Sequence, residues 1–197
     1  TAERPTAMTA VLNAYTDAAD TEEILSATRR WLERAVIGLN LCPFAKSVFV
    51  KKQVRYALTA ASSADELLAE LEHELNLLAA SDPAELDTTL LIHPQAMTDF
   101  LDYHFFLAEV DALNRNLGYE GVFQIASLHP QYEFAGSDPD DIANFTNRSP
   151  YPTLHLLRES SIDRAVAAFP DAAEIFERNI ETMERLGHEG WRKLWLS

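Results

Sequence analysis

Residues 88–94 read TTLLIHP, a β-prone apolar run that stops at a histidine and a proline. Residues 122–130, VFQIASLHP, repeat the pattern. A run that is apolar on both faces reads as a buried strand, and proline, lacking the N–H that a ladder needs, ends its pairing. Between the two lies an apolar helical pattern, with Met97, Phe100, Leu101, His104, Phe105, Ala108 and Leu113 inward, that stops at Gly118. Strand, amphipathic helix and strand make a βαβ unit, with parallel strands and the helix laid over the sheet.

Working outward, Val54 to Thr59 reads as another strand, followed by a capping box at Ser63 and Glu66. The helix it opens carries Leu67, Leu68, Leu71, Leu75 and Leu78 inward and is stopped by SDP at 81–83. Further upstream, Ile24, Leu25, Trp31, Leu32, Ala35 and Val36 form one apolar helix face, and Gly38 stands where a left-handed cap would end it. Earlier helical starts fall at Met8, with Val11, Leu12 and Tyr15, and at Asp20 with Glu23. Downstream, TLHLLRE from Thr153 is a fourth β-run; no full helix precedes it, so its direction in the sheet stays open. Helices around Ile162–Phe169 and from Asp171 onward, the latter with Phe176, Ile180, Met183 and Leu186, close the chain. The expected fold is α/β: a small, mainly parallel sheet of about four strands built from βαβ units, helices on both faces, and helical additions at both ends. One domain is expected over residues 1–197, with 1–20 peripheral or partly disordered.

Of the 197 residues, 47% are hydrophobic and 24% charged, the balance of a globular domain with a packed core. Sixteen basic against 31 acidic residues give a formal charge of −15, which disfavours nucleic acid and anionic lipid as partners. A single cysteine forms no internal disulfide, no run reaches the length of a membrane span, and TAERPTAMTA at the start has no signal-peptide pattern. A cytoplasmic location and a small-molecule substrate are expected. Trp191 and Trp195 would pack internally or across a dimer.

His93 and His129 each follow an apolar run and precede a proline. In open parallel sheets ligands bind beyond the carboxyl ends of the strands, so both imidazoles would emerge on a binding edge, as metal ligands or as a general acid and base. The stretch from His129 to Pro152 is too long for an ordinary connection, and Tyr132, Phe134, Phe145 and Tyr151 would pin it as a cover over that edge. Asp138 before Pro139 reads as a helix N-cap, which leaves Asp141 or Glu133 to complete a metal set with His93 and His129. Iron, copper or zinc would suit such nitrogen and oxygen ligands. Asn144, Asn147, Arg148 and Arg158 would hold a polar or anionic substrate, Arg148 by a bidentate guanidinium contact. Tyr132 is a further catalytic candidate. His155 lies on one strand face with Leu157 and reads as a structural hydrogen-bonding residue, His104 as a core residue, and His73 and His188 as solvated. Cys42, between Leu41 and Pro43 with Lys46 nearby, is either a packed hydrophobe or a nucleophile activated by a neighbouring cation.

The strings LNLCPFA, TTLLIHP, FLDY, QIASLHPQYEFAG and DDIANFTNRSPYPTLHLLRES, with a late LG followed by Trp191, resemble an uncharacterised bacterial family, domain of unknown function fourteen-fifteen, over roughly residues 30 to 195. The resemblance implies that Cys42, His129, Tyr132, Asn144, Asn147 and Arg148 belong to family motifs, and it assigns them no role. His104 departs from the pattern. Three functions are therefore expected in order: an enzyme for a small polar or anionic metabolite at the sheet edge, metal-assisted and of oxidoreductase or hydrolase type; a Cys42–His129 unit for acyl or thiol transfer; and a non-catalytic small-ligand binder.

Overall fold

The computed structural model describes residues 18–168 and 174–195. The helix expected from Met8, the peripheral segment apart from residues 18–20, and the expected start at Asp171 lie outside the described residues. The chain runs α1 (Ala18–Trp31), a π-helical segment (Leu32–Ile37), α2 (Ala45–Val50), β1 (Val54–Leu58), α3 (Ala64–Ala80), β2 (Thr88–Ile92), α4 (Phe100–Asn116), β3 (Phe123–Leu128), a 3₁₀ helix (Ile142–Asn147), β4 (Thr153–Arg158), α5 (Glu159–Ala168) and α6 (Ile175–Lys193).

The four strands form one sheet in the order β1-β2-β4-β3. β1 and β2 pair in parallel, whereas β4 runs antiparallel to both of its neighbours, Thr88 opposite Leu157 and Leu128 opposite Thr153. The sheet is therefore mixed, with one parallel pair, and not mainly parallel. The helical crossovers keep β1, β2 and β3 pointing one way; β4 arrives without a crossover helix and turns back between β2 and β3. Every residue of β2 is buried, as its unbroken apolar run requires.

Helices cover both faces. On one, Leu67, Leu71, Leu75 and Leu78 of α3 are fully buried against Ala57, Leu91, Leu154 and Leu156. Ser63 Oγ accepts from the Glu66 N–H, and the Glu66 carboxylate accepts from Ser62 N–H, so the cap forms at the expected residues. The buried stripe of α4 is Tyr103, Phe106 and Val110, rotated from the expected face, and Leu101, Phe105 and His104 are exposed. The segment is apolar nearly all round, so periodicity alone cannot choose its inner face. The rotation brings the Tyr103 hydroxyl to the Thr153 carbonyl.

On the other face, Ile24, Trp31, Leu32 and Val36 pack on Leu58, Leu90, Ile92 and Leu128, joined by Trp191 and Trp195 from the C-terminal end. These tryptophans thus pack within the chain. Gly38 has an ordinary helical φ of −61° and is not a left-handed cap. Its hydrogen side chain matters for another reason: a Cβ there would run into the Arg34 carbonyl oxygen. The left-handed residue is Asn40, at φ 55°. No helix among the described residues is long and apolar enough to cross a membrane.

Candidate functional site

The two His-Pro turns meet at one end of the sheet, as the strand directions require. His93 and His129 have no exposed surface. Their rings belong to a stack that runs His93, Tyr103, His129, Phe100, Tyr132, with centroid separations of 5.7, 5.1, 5.4 and 5.3 Å. The Gln131 N–H donates to His129 Nδ1 at 3.0 Å, so the ring proton is on Nε2, which faces the Met97 carbonyl at 3.1 Å. Both nitrogens of His129 are thereby occupied. His93 donates from Nδ1 to the Ala96 carbonyl at 2.9 Å, and its Nε2 is buried without a hydrogen-bond partner among the described residues. Burial pushes His93 down to about 4 and lowers His129 as well, so both are neutral near pH 7.

Tyr103 binds this end together, donating to the Thr153 carbonyl at 2.8 Å and accepting from the Leu128 N–H at 3.2 Å. Tyr103→Phe strands a buried acceptor and a buried donor, and is expected to cost about 2–3 kcal/mol of stability in urea unfolding. A loss under about 0.5 kcal/mol would contradict this account.

The loop over the edge is held by its own polar residues. The Asn144 carbonyl oxygen accepts from Phe134 N–H and Ser137 Oγ, and its amide donates to the Asp138 carbonyl. Arg148 donates to the carbonyls of Tyr132 and Pro139 and lies 4.2 Å over the Phe145 ring. Tyr132 and Phe134 meet edge to face, and Phe145 packs on Trp191. Asp141 caps the 3₁₀ helix through Ala143 N–H, while Asp138 accepts from Asp140 N–H in the turn before it. The expected cap is thus displaced by three residues, and the carboxylate set aside for metal does the capping. Among the described residues no three His, Cys, Asp or Glu side chains are placed to share a metal ion, so His93, His129, Glu133 and Asp141 are not brought together as one. Arg158 is also occupied: its guanidinium donates to the carbonyls of Leu78, Ser81 and Leu86, with Asp87 3.9 Å away, and so ties the end of α3 to the start of β2.

The open space lies elsewhere. A cavity of about 870 Å³ sits on the sheet face opposite α3 and α4. Its floor is Thr88 and Leu90 of β2, His155 and Leu157 of β4, and Gln124, Ala126 and Leu128 of β3; α2, α5, α6 and the π-helical segment contribute its walls. The local sequence explains the gap. On β3 and β4 this face carries Gln124, Ala126 and His155 where the other carries Phe123, Leu154 and Leu156, and α5 buries no residue at all.

His155 is half-buried in that floor. Thr88 Oγ1 lies 2.7 Å from the Leu156 carbonyl and 2.8 Å from His155 Nε2. The hydroxyl has one proton and the carbonyl must receive it, so Thr88 accepts from Nε2–H and the lone pair of the ring is on Nδ1. Nδ1 has no hydrogen-bond partner among the described residues. Burial pushes His155 down to about 4, so it stays neutral.

Cys42 lines the same cavity, as does Asn147 from the loop. Burial pushes its thiol up, outweighing the backbone N–H groups of Phe44 and Ala45, so Lys46 does not activate it. His129 has no free nitrogen to serve it as a base and does not line the cavity.

A family model described as "Protein of unknown function (DUF1415)" matches residues 23–193. The chain belongs to that family. No curated protein and no solved structure matches it. The matched DUF1415 span contains the ring stack, the loop and every residue named in the cavity. Sequence reasoning placed His155 on this strand face with Leu157 and read it as a hydrogen-bonding residue, which its contact with Thr88 bears out; it did not single out Thr88, Gln124 and Ala126 as a group. The available signal was small and polar residues recurring at every second position on one face of β3 and β4.

Proposed function

We propose that this DUF1415 protein binds a small organic molecule in the sheet-face cavity, with His155 as the fixed polar contact. The observation that carries the reading is an imidazole oriented by Thr88, with its other nitrogen free of partners among the described residues, in a cavity of about 870 Å³. That volume is within the usual range for small-molecule sites, which are mostly apolar with a few placed polar groups. The enzyme at the sheet edge has less support: the histidines there are fully buried, and Arg148 and Arg158 are engaged with backbone carbonyls.

Catalysis in the cavity is the second reading. An imidazole held by a third group is the arrangement of a general base, and the Thr88–His155 contact favours it. A ring held to about 4 is a weak base near neutrality, however, which favours an acceptor in binding over a group that removes protons.

Ala126 offers a direct test, because a larger side chain there would rise from the floor into the space. Native mass spectrometry of the purified protein with a metabolite extract is expected to show a retained small molecule in the wild type and about tenfold less in Ala126→Phe, a hydrogen-bond-sized or larger loss. Equal retention by both, or none by the wild type, would remove the proposal.

A further inference from the structure

We infer that the cavity takes an elongated, uncharged, mostly apolar molecule that carries one hydroxyl or N–H donor, and that this donor is received by His155 Nδ1. The inference rests on the cavity being the binding site and adds the chemistry of the occupant.

The length follows from the floor. Asn147, whose carbonyl accepts from the His129 N–H, stands at the carboxyl end of β3, and Asp87, which accepts from Ser161, at the amino end of β2, and all three of Asn147, Asp87 and Ser161 line one cavity. The space therefore runs along most of a strand, about 17–20 Å for five or six residues. Between these ends the lining is Leu90, Leu128 and Leu157 from the sheet, with Leu32 and Val36 above them and Ile162 to the side. An apolar body suits that lining, and burying it supplies the larger part of the affinity.

The polar demand at His155 is one-sided. The Thr88 hydroxyl proton is given to the Leu156 carbonyl, and the Nε2 proton of His155 is given to Thr88. Next to Cys42 in the chain, the Leu41 carbonyl accepts from the Asn179 amide. What His155 leaves for an occupant is the Nδ1 lone pair, an acceptor that calls for a donor; the Gln124 amide, also in the floor, can both donate and accept. A carboxylate or phosphate placed there would face a lone pair, with Asp87 also lining the space. The cations among the lining residues do not offset this. Arg158 is bound to three carbonyls, and Lys51 and Arg164 are exposed.

The probes are three biphenyls of one shape: 4-phenylphenol, which has a neutral donor; 4-methoxybiphenyl, which has none; and biphenyl-4-carboxylate, which is charged. Dissociation constants are measured by ligand-observed NMR near pH 7 for the wild type, His155→Leu and Ala126→Phe. The phenol is expected to bind about tenfold tighter than either companion, the worth of one net hydrogen bond. His155→Leu is expected to erase that preference, and Ala126→Phe to weaken all three. If the ether or the carboxylate matches the phenol, or the preference survives in His155→Leu, the donor assignment is wrong while the cavity stands. If no probe binds the wild type, or Ala126→Phe leaves all three unchanged, the cavity reading and this inference fall together.

Discussion

Acidification from pH 7 to pH 4.5 will lower the unfolding free energy by about 4 kcal/mol. The effect comes from histidines that the fold keeps neutral. His93 has no exposed surface and is held down to about 4, as is His155, and His129 is lowered in the same direction. In the unfolded chain each would titrate near the ordinary value of about 6.5. Between that value and about 4 the unfolded state binds more protons than the folded state, so stability falls as pH falls through the window. Above it neither state is charged and the loss is absent; below it both are charged and the loss levels off. A depression of this size corresponds to roughly 2–3 kcal/mol for a fully buried ring such as His93. Urea unfolding at the two pH values measures the total. His93→Asn retains an N–H donor for the Ala96 carbonyl and does not titrate, so it should flatten the pH dependence by close to half. Equal stability at pH 7 and pH 4.5 would show that these rings are not held as described.

Arg55→Met will destabilise the protein by about 3–5 kcal/mol. Arg55 on β1 meets Glu74 on α3 with two parallel contacts, Nε to Oε2 at 2.7 Å and the terminal nitrogen to Oε1 at 2.9 Å. The Glu74 side chain is only 4% exposed. Removing the guanidinium leaves a carboxylate under the sheet with neither water nor a partner, which costs far more than an ordinary surface ion pair contributes. The double variant Arg55→Met, Glu74→Leu removes both charges and is expected to recover most of the loss. Guanidinium chloride melts of the two variants make the comparison. A double variant as unstable as the single one would mean that packing at Arg55, and not the stranded charge, sets the cost.

The pair also illustrates what local pattern conveys. Glu74 lies between Leu71 and Leu75 and Leu78, which fill the inner face of α3, and nothing in the helix repeat distinguishes it from the exposed glutamates around it. Its burial follows from Arg55, nineteen residues away on a strand. The same limit explains α4. Phe100, Leu101, Phe105 and Leu113 follow a helical spacing as good as that of Tyr103, Phe106 and Val110, and the choice is made by Tyr103 reaching β3 and β4. At the loop, the aromatic residues do pin the cover as their composition suggests, but Asn144, Arg148 and Asp141 spend their polar groups on the loop itself. A loop without regular structure must satisfy its own backbone, and residue type alone does not separate that duty from ligand binding.

By itself the sequence determined the α/β class, the positions of the four strands, the leucine face and cap of α3, and the common direction of the strands that end in His-Pro. These depend on periodicities, turn residues and crossover handedness, which act over a few residues or one connection. Its motifs also placed the chain in the family that the matched span bears out. Only the tertiary structure decided that β4 enters antiparallel between β2 and β3, that His93 and His129 close into a buried ring stack, and that the open space lies on the opposite sheet face above His155. Strand pairing and packing join residues far apart in the chain, so the free surface left over depends on the whole arrangement and on no local pattern.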